Sequence, residues 1–303
     1  MDWQGRIWFY LSGSSATTDS PGIPGAVYML DPAMYPADEA VKFYQLIDPD
    51  EQIRNSFAIT KTGVYIVTSK KMYRLGFDAK GDLQPVWEAE YENAGYIKPG
   101  QYNAGSGTTP TILGEGKYVA ITDNADPDMQ VVVYRTEANV PPKDRVVCEV
   151  PVFQYADGGA LDNSLLGSGL SLIIENNYGY DFDYEALTTT RSEPGFERID
   201  IDQDGNGCTK VWVNTEIAST ASAKLSTKTG LIYTYSRKYD KKHDVWVYYW
   251  TALDFHTGEA VWQKMAGAGH ERFDTIWPAL YVGPNETLYV GLLGGLAALR
   301  DTP

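Results

Sequence analysis

The sequence predicts an all-β protein, a β-propeller of about six four-stranded antiparallel blades. Three observations carry that expectation. The first is composition: 22 Tyr and 8 Trp stand beside 29 Gly and 16 Pro, a mixture of strand formers and turn formers. The second is an internal repeat at a spacing of roughly 45–55 residues. The third is the shape of each repeat. It reads as small polar residues, an apolar strand, a turn, a second strand, a polar break, a third strand, a Gly turn and a strand ending in Trp.

The copies follow in order. GRIWFYLSG and GAVYMLD, residues 5–13 and 25–31, form a first unit that lacks its opening strand. Complete units run over residues 55–87 and 107–136. A further unit opens with NSLLGSGLSLIIENN (163–177) and closes with IDIDQDGNGCTKVW (199–212). The next opens at Thr220 and closes with ALDFHTGEAVW (252–262). The final unit, 277–300, lacks its last strand. Each unit is a meander of strands A to D whose sheet cannot bury both faces alone; stacking around an axis buries them. The expected organisation is one propeller domain over 1–303, with blades near 1–53, 54–100, 101–155, 156–217, 218–272 and 273–303. Its two incomplete ends imply an irregular closure or a truncated chain. Helix is scarce, with a turn or two expected over residues 36–43.

Charge and cysteine content narrow the function classes. A net charge of −15 repels phosphate backbones and argues against nucleic-acid binding. The longest apolar run, LYVGLLGGLAAL (288–299), is too short to span a bilayer. The N-terminus lacks the basic start and apolar stretch of a secretion signal. The expected location is cytoplasmic, or periplasmic or secreted if a signal segment was removed, and a monomer is expected. Cys148 and Cys208 form no zinc-type CxxC. They fall on outermost strands of adjacent blades, as one disulfide or as two buried thiols.

Propeller geometry places the openings of strand A and the ends of strand B around the channel mouth. Asn55, Asn163, Glu175 and Asp123 fall there, beside Ser69-Lys70 and Ser236-Arg237. Oxygen donors converging on one axis suit calcium, which takes six to eight of them; the same residues also cap strand ends around a water-filled channel. Of three histidines, His256 belongs to a bottom turn and His243 to a charged hairpin tip. His270 falls in a top-face connection, where it is placed to act as a base or to cap backbone. An insertion over 178–196 carries Tyr178, Tyr180, Phe182 and Tyr184 toward the mouth, as pocket wall, lid or plain surface hairpin. Tyr178, Tyr180, Trp277 and Arg237 are the candidate substrate contacts. The Gly/Ser/Pro-rich stretch 12–25 is expected to be flexible. Asp200-x-Asp202-x-Asp204-Gly205 resembles a calcium loop, but Val211 stands where the bidentate Glu belongs, so a strand–turn–strand hairpin is expected. No G-x-S-x-G elbow, phosphate loop or dinucleotide fingerprint occurs.

Ala252-Leu-Asp254-Phe-His-Thr257-Gly258-Glu-Ala-Val-Trp262 resembles the A-x-D-x-x-T-G-x-x-x-W repeat of quinoprotein-type propellers, with looser versions at 78–87 and 202–212. That resemblance implies the fold and leaves the function open. At the mouth, the segment opening at Asn55 is similar to the strand openings of six-bladed calcium hydrolases, the gluconolactonases, paraoxonases and diisopropylfluorophosphatase. This resemblance implies a calcium held by Asn55, Asn163 and Glu175, although here no Glu opens an inner strand. It implies a lactone, ester or phosphotriester substrate, with Asp123 or His270 as base or nucleophile. The alternative is a non-catalytic ligand-binding or scaffold propeller. A quinone-dependent dehydrogenase ranks third, because pyrroloquinoline quinone (PQQ) enzymes usually carry a vicinal cysteine pair and more blades.

Overall fold

The computed structural model describes residues 1–14, 22–183, 188–189, 192–269 and 271–301. Six antiparallel sheets succeed one another along the chain, and this is the β-propeller expected from the repeats. Blade 1 holds Ile7–Leu11, Ala26–Leu30 and Val41–Gln45, the equivalents of strands B, C and D. Blades 2 and 3 are complete, with strands A to D at Ala58–Thr60, Gly63–Val67, Lys71–Phe77 and Leu83–Glu90, then Thr111–Leu113, Tyr118–Thr122, Gln130–Arg135 and Val146–Pro151. Blade 4 uses Leu166–Ser168, Ser171–Glu175, Phe196–Ile201 and Cys208–Asn214; a small ladder, Phe182–Asp183 with Thr188–Thr189, is inserted between its strands B and C. Blade 5 has long strands, Leu231–Asp240, Val245–Asp254 and Ala260–Gly269, with Lys224–Ser226 as strand A. Blade 6 ends the described chain with Tyr281–Val282, Leu288–Leu292 and Gly295–Leu299. The helical turn expected over 36–43 is a single 3-10 turn, Asp38–Ala40. Among the described residues no helix is long and apolar enough to cross a membrane.

Pleating sends alternate residues of each middle strand to opposite neighbours. Val119 and Ile121 enter the core shared with blade 2, while Ala120 enters the core shared with blade 4. Five apolar cores arise in this way, joining blades 1–2, 2–3, 3–4, 4–5 and 5–6. The repeat tryptophans of blades 2 and 4 tie each of these two blades to the next. Trp87 Nε1 donates to the Thr136 carbonyl of blade 3 at 3.2 Å, and Trp212 Nε1 donates to the Phe255 carbonyl of blade 5 at 2.9 Å. The turn that receives Trp212 is built by Asp254, whose carboxylate accepts the amides of His256 and Thr257, both at 2.8 Å. Gly258 follows with φ +74°, and a Cβ there would sit 2.4 Å from the Trp212 ring. This contact gives the glycine of the Trp repeat two reasons to be glycine.

Asp202 to Gly207 forms a tight hairpin turn between strands C and D of blade 4, closed by Asp202 N to Gly207 O at 2.9 Å. It is the strand–turn–strand element expected at that acidic run. Cys148 and Cys208 form a disulfide between the outermost strands of blades 3 and 4. Of the two states that the sequence allows, a disulfide or two thiols, the structure selects the disulfide. Closing a loop across a separation of 60 residues removes denatured-state entropy worth about 4 kcal/mol in the chain-entropy model. Cys148→Ser is therefore expected to lower unfolding free energy by up to about 4 kcal/mol, read as a fall in the urea midpoint that reductant reproduces in the parent protein.

The two ends of the blade series differ from its middle. On blade 1 the registers Phe9↔Tyr28 and Tyr28↔Phe43 put three aromatic rings in one stacked row on the face turned away from blade 2. Phe9 is 42% exposed and Phe43 is 57% exposed. On blade 6, Leu296 and Tyr281 are likewise exposed. Among the described residues, no core joins blade 6 to blade 1.

Candidate functional site

Asn163 and Glu175 meet because strand A of blade 4 opens where its strand B ends. Asn163 Nδ2 donates to Glu175 Oε1 at 2.6 Å, and Asn163 Oδ1 accepts the Ser222 hydroxyl of blade 5 at 2.8 Å. The cluster is buried, and Glu175 Oε2 makes no hydrogen bond. Burial pushes the Glu175 carboxyl up to about 7, against the opposing pull of Ser219 and Asn163. The raised value means that the folded chain holds this proton more tightly than the unfolded chain. The stability it contributes is complete below about pH 4.5 and is lost as pH rises through about 7. Glu175→Gln is expected to flatten the fall in melting temperature between pH 4.5 and 8, without abolishing it, because Asp123 titrates in the same sense.

Asp123 ends the corresponding strand of blade 3 and faces the other way around the ring. Its Oδ1 accepts the amides of Gln130 at 2.7 Å and Ala125 at 3.2 Å, and burial raises its carboxyl to about 7. Asn55 is engaged elsewhere too, its amide donating to the Ser106 carbonyl at 2.7 Å. Of the four oxygen donors read from the sequence, hydrogen bonding joins only Asn163 and Glu175. Among the described residues no group of three or more His, Cys, Asp or Glu side chains is assembled for a metal. His270 and Tyr184 lie outside the described residues, as does 15–21 of the stretch expected to be flexible. His243 pairs with Asp240 on an exposed hairpin, and His256 sits in the blade 5 turn, as expected.

Three of the four candidate substrate contacts, Tyr180, Arg237 and Trp277, converge on Asp274, a residue without a sequence signal, and Tyr178 does not join them. Arg237 and Asp274 form a fully buried ion pair at 3.0 Å. Asp274 also accepts the Tyr180 hydroxyl at 2.5 Å, the Tyr248 hydroxyl at 3.2 Å and the Thr275 amide at 2.8 Å. The Arg237 guanidinium lies against the rings of Tyr180 and Trp246, at 4.6 and 4.2 Å. Burial and the adjacent Asp274 charge hold the Tyr180 hydroxyl well above its ordinary pKa. Tyr180 then accepts the Ile276 amide at 3.0 Å. Ile276 and Trp277 both adopt left-handed backbone, φ +52° and +56°, a strain that the surrounding bonds over-determine. The Trp277 ring is thereby held between Tyr180 at 5.0 Å and Tyr102 at 4.9 Å. Tyr180 and Arg237 are buried in this lock, and Tyr178 packs on Gly158, whereas Tyr102 is exposed.

A cleft of about 850 Å³ opens on the top face over blades 1 to 3. Connections between blades form it, from Asp48 to Arg54, from Glu90 to Gly95, and at Asn103–Ala104, with Ser69 to Lys71 joining strands B and C of blade 2. Its charges are partly paired within it: Lys70 Nζ meets Asp48 at 2.6 Å, and Arg54 donates to Gln52 at 2.6 Å. Of the described top-face residues read from the sequence, only Ser69 and Lys70 line it.

These features define a β-propeller with a polar top face. No family model matches the chain. An uncharacterized protein of Archaeoglobus fulgidus is 29% identical over 301 residues, covering 89% of this chain and 55% of its own. The chain thus spans about half the length of the curated relative it matches. A solved Bacteroides fragilis protein described provisionally as a 6-phosphogluconolactonase is 13% identical, with a TM-score of 0.48 over 96% of this chain and 75% of that one. TolB from Acinetobacter baumannii is 14% identical, with a TM-score of 0.40 over 97% of this chain and 63% of its own. At that level of likeness no chemistry carries over to this chain.

Proposed function

We propose that this is a small-molecule-binding propeller of quinoprotein-like blade type, with its ligand in the cleft over blades 1 to 3. The carrying observation is the cleft itself. Its volume of about 850 Å³ suits a small ligand. Asn103 offers a donor there, and Lys70, shared with Asp48, another, beside the acceptors Glu90 and Glu92, while Asn93 is engaged in donating to the Ser69 and Ala104 carbonyls. A rim of mixed donors and acceptors, with carboxylates in excess of cations, fits a neutral polyhydroxylated ligand such as a sugar better than an anion or a flat apolar one. Titration calorimetry with a panel of sugars, sugar acids and sugar lactones tests it. Binding that weakens at least tenfold in Asn103→Ala supports the reading; no heat with any of them at millimolar concentration sinks it.

The calcium-assisted hydrolase stands second, favoured by the one Glu175 oxygen that makes no hydrogen bond. The residues joined there supply one carboxylate and one amide, and that amide turns its nitrogen toward the carboxylate. This falls short of a calcium cage of six to eight oxygens, so no catalytic step is assigned to a metal. Elemental analysis after metal-free dialysis decides between the readings: about one calcium per chain, lost in Glu175→Gln, with chelator-sensitive lactone cleavage, would reverse their order.

A further inference from the structure

We propose that the open seam between blades 1 and 6 is a docking site for further β-blades of the same polypeptide. Every inner blade has both faces covered, because the five shared cores use them in turn. The outward face of blade 1 has no such cover. Strand registers put Ile7, Phe9, Leu11, Tyr28, Val41 and Phe43 on it. Blade 6 presents Tyr281, Tyr289, Gly291, Leu296 and Ala298 in the same way. Leu296 is 72% exposed.

Neither of these residue sets contains a charge, in a chain whose net charge is −15. A contiguous uncharged face of this kind marks a contact surface. Its shape and chemistry suit another sheet packed about 10 Å away, as sheets stack face to face. The two faces differ in relief. Blade 1 offers a row of aromatic knobs, and blade 6 offers Gly291 and Ala298 beside Leu296. A two-fold pair of copies could set the blade 1 face of each against the blade 6 face of the other, but the self-repulsion of two acidic chains opposes it. The source favoured is the same polypeptide, because the Archaeoglobus relative carries nearly half of its length outside the matched region.

An antiserum against the 303-residue chain, used on extract of cells that make it, reads the size of the native polypeptide. A polypeptide longer by at least one blade is expected; a single band at 33.6 kDa overturns the proposal. Covalent footprinting then compares the 303-residue chain with that longer polypeptide. Phe9, Tyr28, Phe43 and Leu296 are expected to be labelled in the former and protected at least fivefold in the latter. Equal labelling overturns the proposal, and so does a stable dimer of the 303-residue chain with these residues protected. Because neither measurement involves the top-face cleft, a failure here is distinguishable from a failure of the ligand-binding reading.

Discussion

Asp274→Ala is expected to lower unfolding free energy by about 3–5 kcal/mol, the cost of removing one partner from a buried ion pair. The carboxylate accepts from Arg237, Tyr180, Tyr248 and the Thr275 amide, so its loss leaves a guanidinium and two hydroxyls short of a buried acceptor. Urea unfolding measures the change. The double variant Arg237→Met/Asp274→Leu removes both charges together. It is expected to recover at least half of the loss, because an apolar pair of similar volume has no desolvation cost to repay. If Asp274→Ala costs under about 1 kcal/mol, the range of an exposed pair, the lock does not hold blades 4, 5 and 6 together. The single variant also tests the positioning of Trp277. Tyr180 links Asp274 to the Ile276 amide, so Trp277 fluorescence is expected to shift toward that of exposed indole.

Gly258→Ala is expected to cost about 2–5 kcal/mol, from two additive sources. Left-handed backbone costs a residue with a Cβ about 1–2 kcal/mol. Overpacking a filled site costs about 1–3 kcal/mol more, since the new carbon would meet the Trp212 ring at 2.4 Å. Gly230→Ala is the control: it also has positive φ, 68°, but a Cβ there meets nothing within 4 Å. It is expected to show the backbone cost alone. Equal losses in the two variants would mean that the Trp212 contact adds nothing.

The blade pattern was legible because its signals are local. Strand, turn and Trp recur within one unit, and the Asp254–Gly258 turn is written in adjacent residues. The Asn163–Glu175 pair was legible for the same reason, since a short A–B hairpin returns strand B beside the opening of strand A. Asp123 occupies the matching strand end one blade earlier, yet it does not join them. Pleating turns it toward the Tyr91 and Tyr134 side, between blades 2 and 3, and that direction depends on how blades are stacked. Asp274 lacks a sequence signal because it lies in a connection with no repeat signature, and three of its partners, Arg237, Tyr180 and Tyr248, come from separate elements. The cleft was missed for a related reason. Its wall joins segments from residue 48 to residue 149, which only the ring brings together.

The Cys148–Cys208 bridge has a mechanical consequence. A stack of blades joined mainly through side-chain cores can breathe by fanning apart at its rim. The bridge fastens the outermost strands of blades 3 and 4, so their rim cannot spread. Those two blades therefore behave as one stiff wedge, and any flexing concentrates at the joints on either side of it. The top-face cleft spans the joints between blades 1 and 2 and between blades 2 and 3, on the compliant side of the wedge. Its width is therefore free to adjust to what enters, while the Glu175 strand stays anchored within the stiff part.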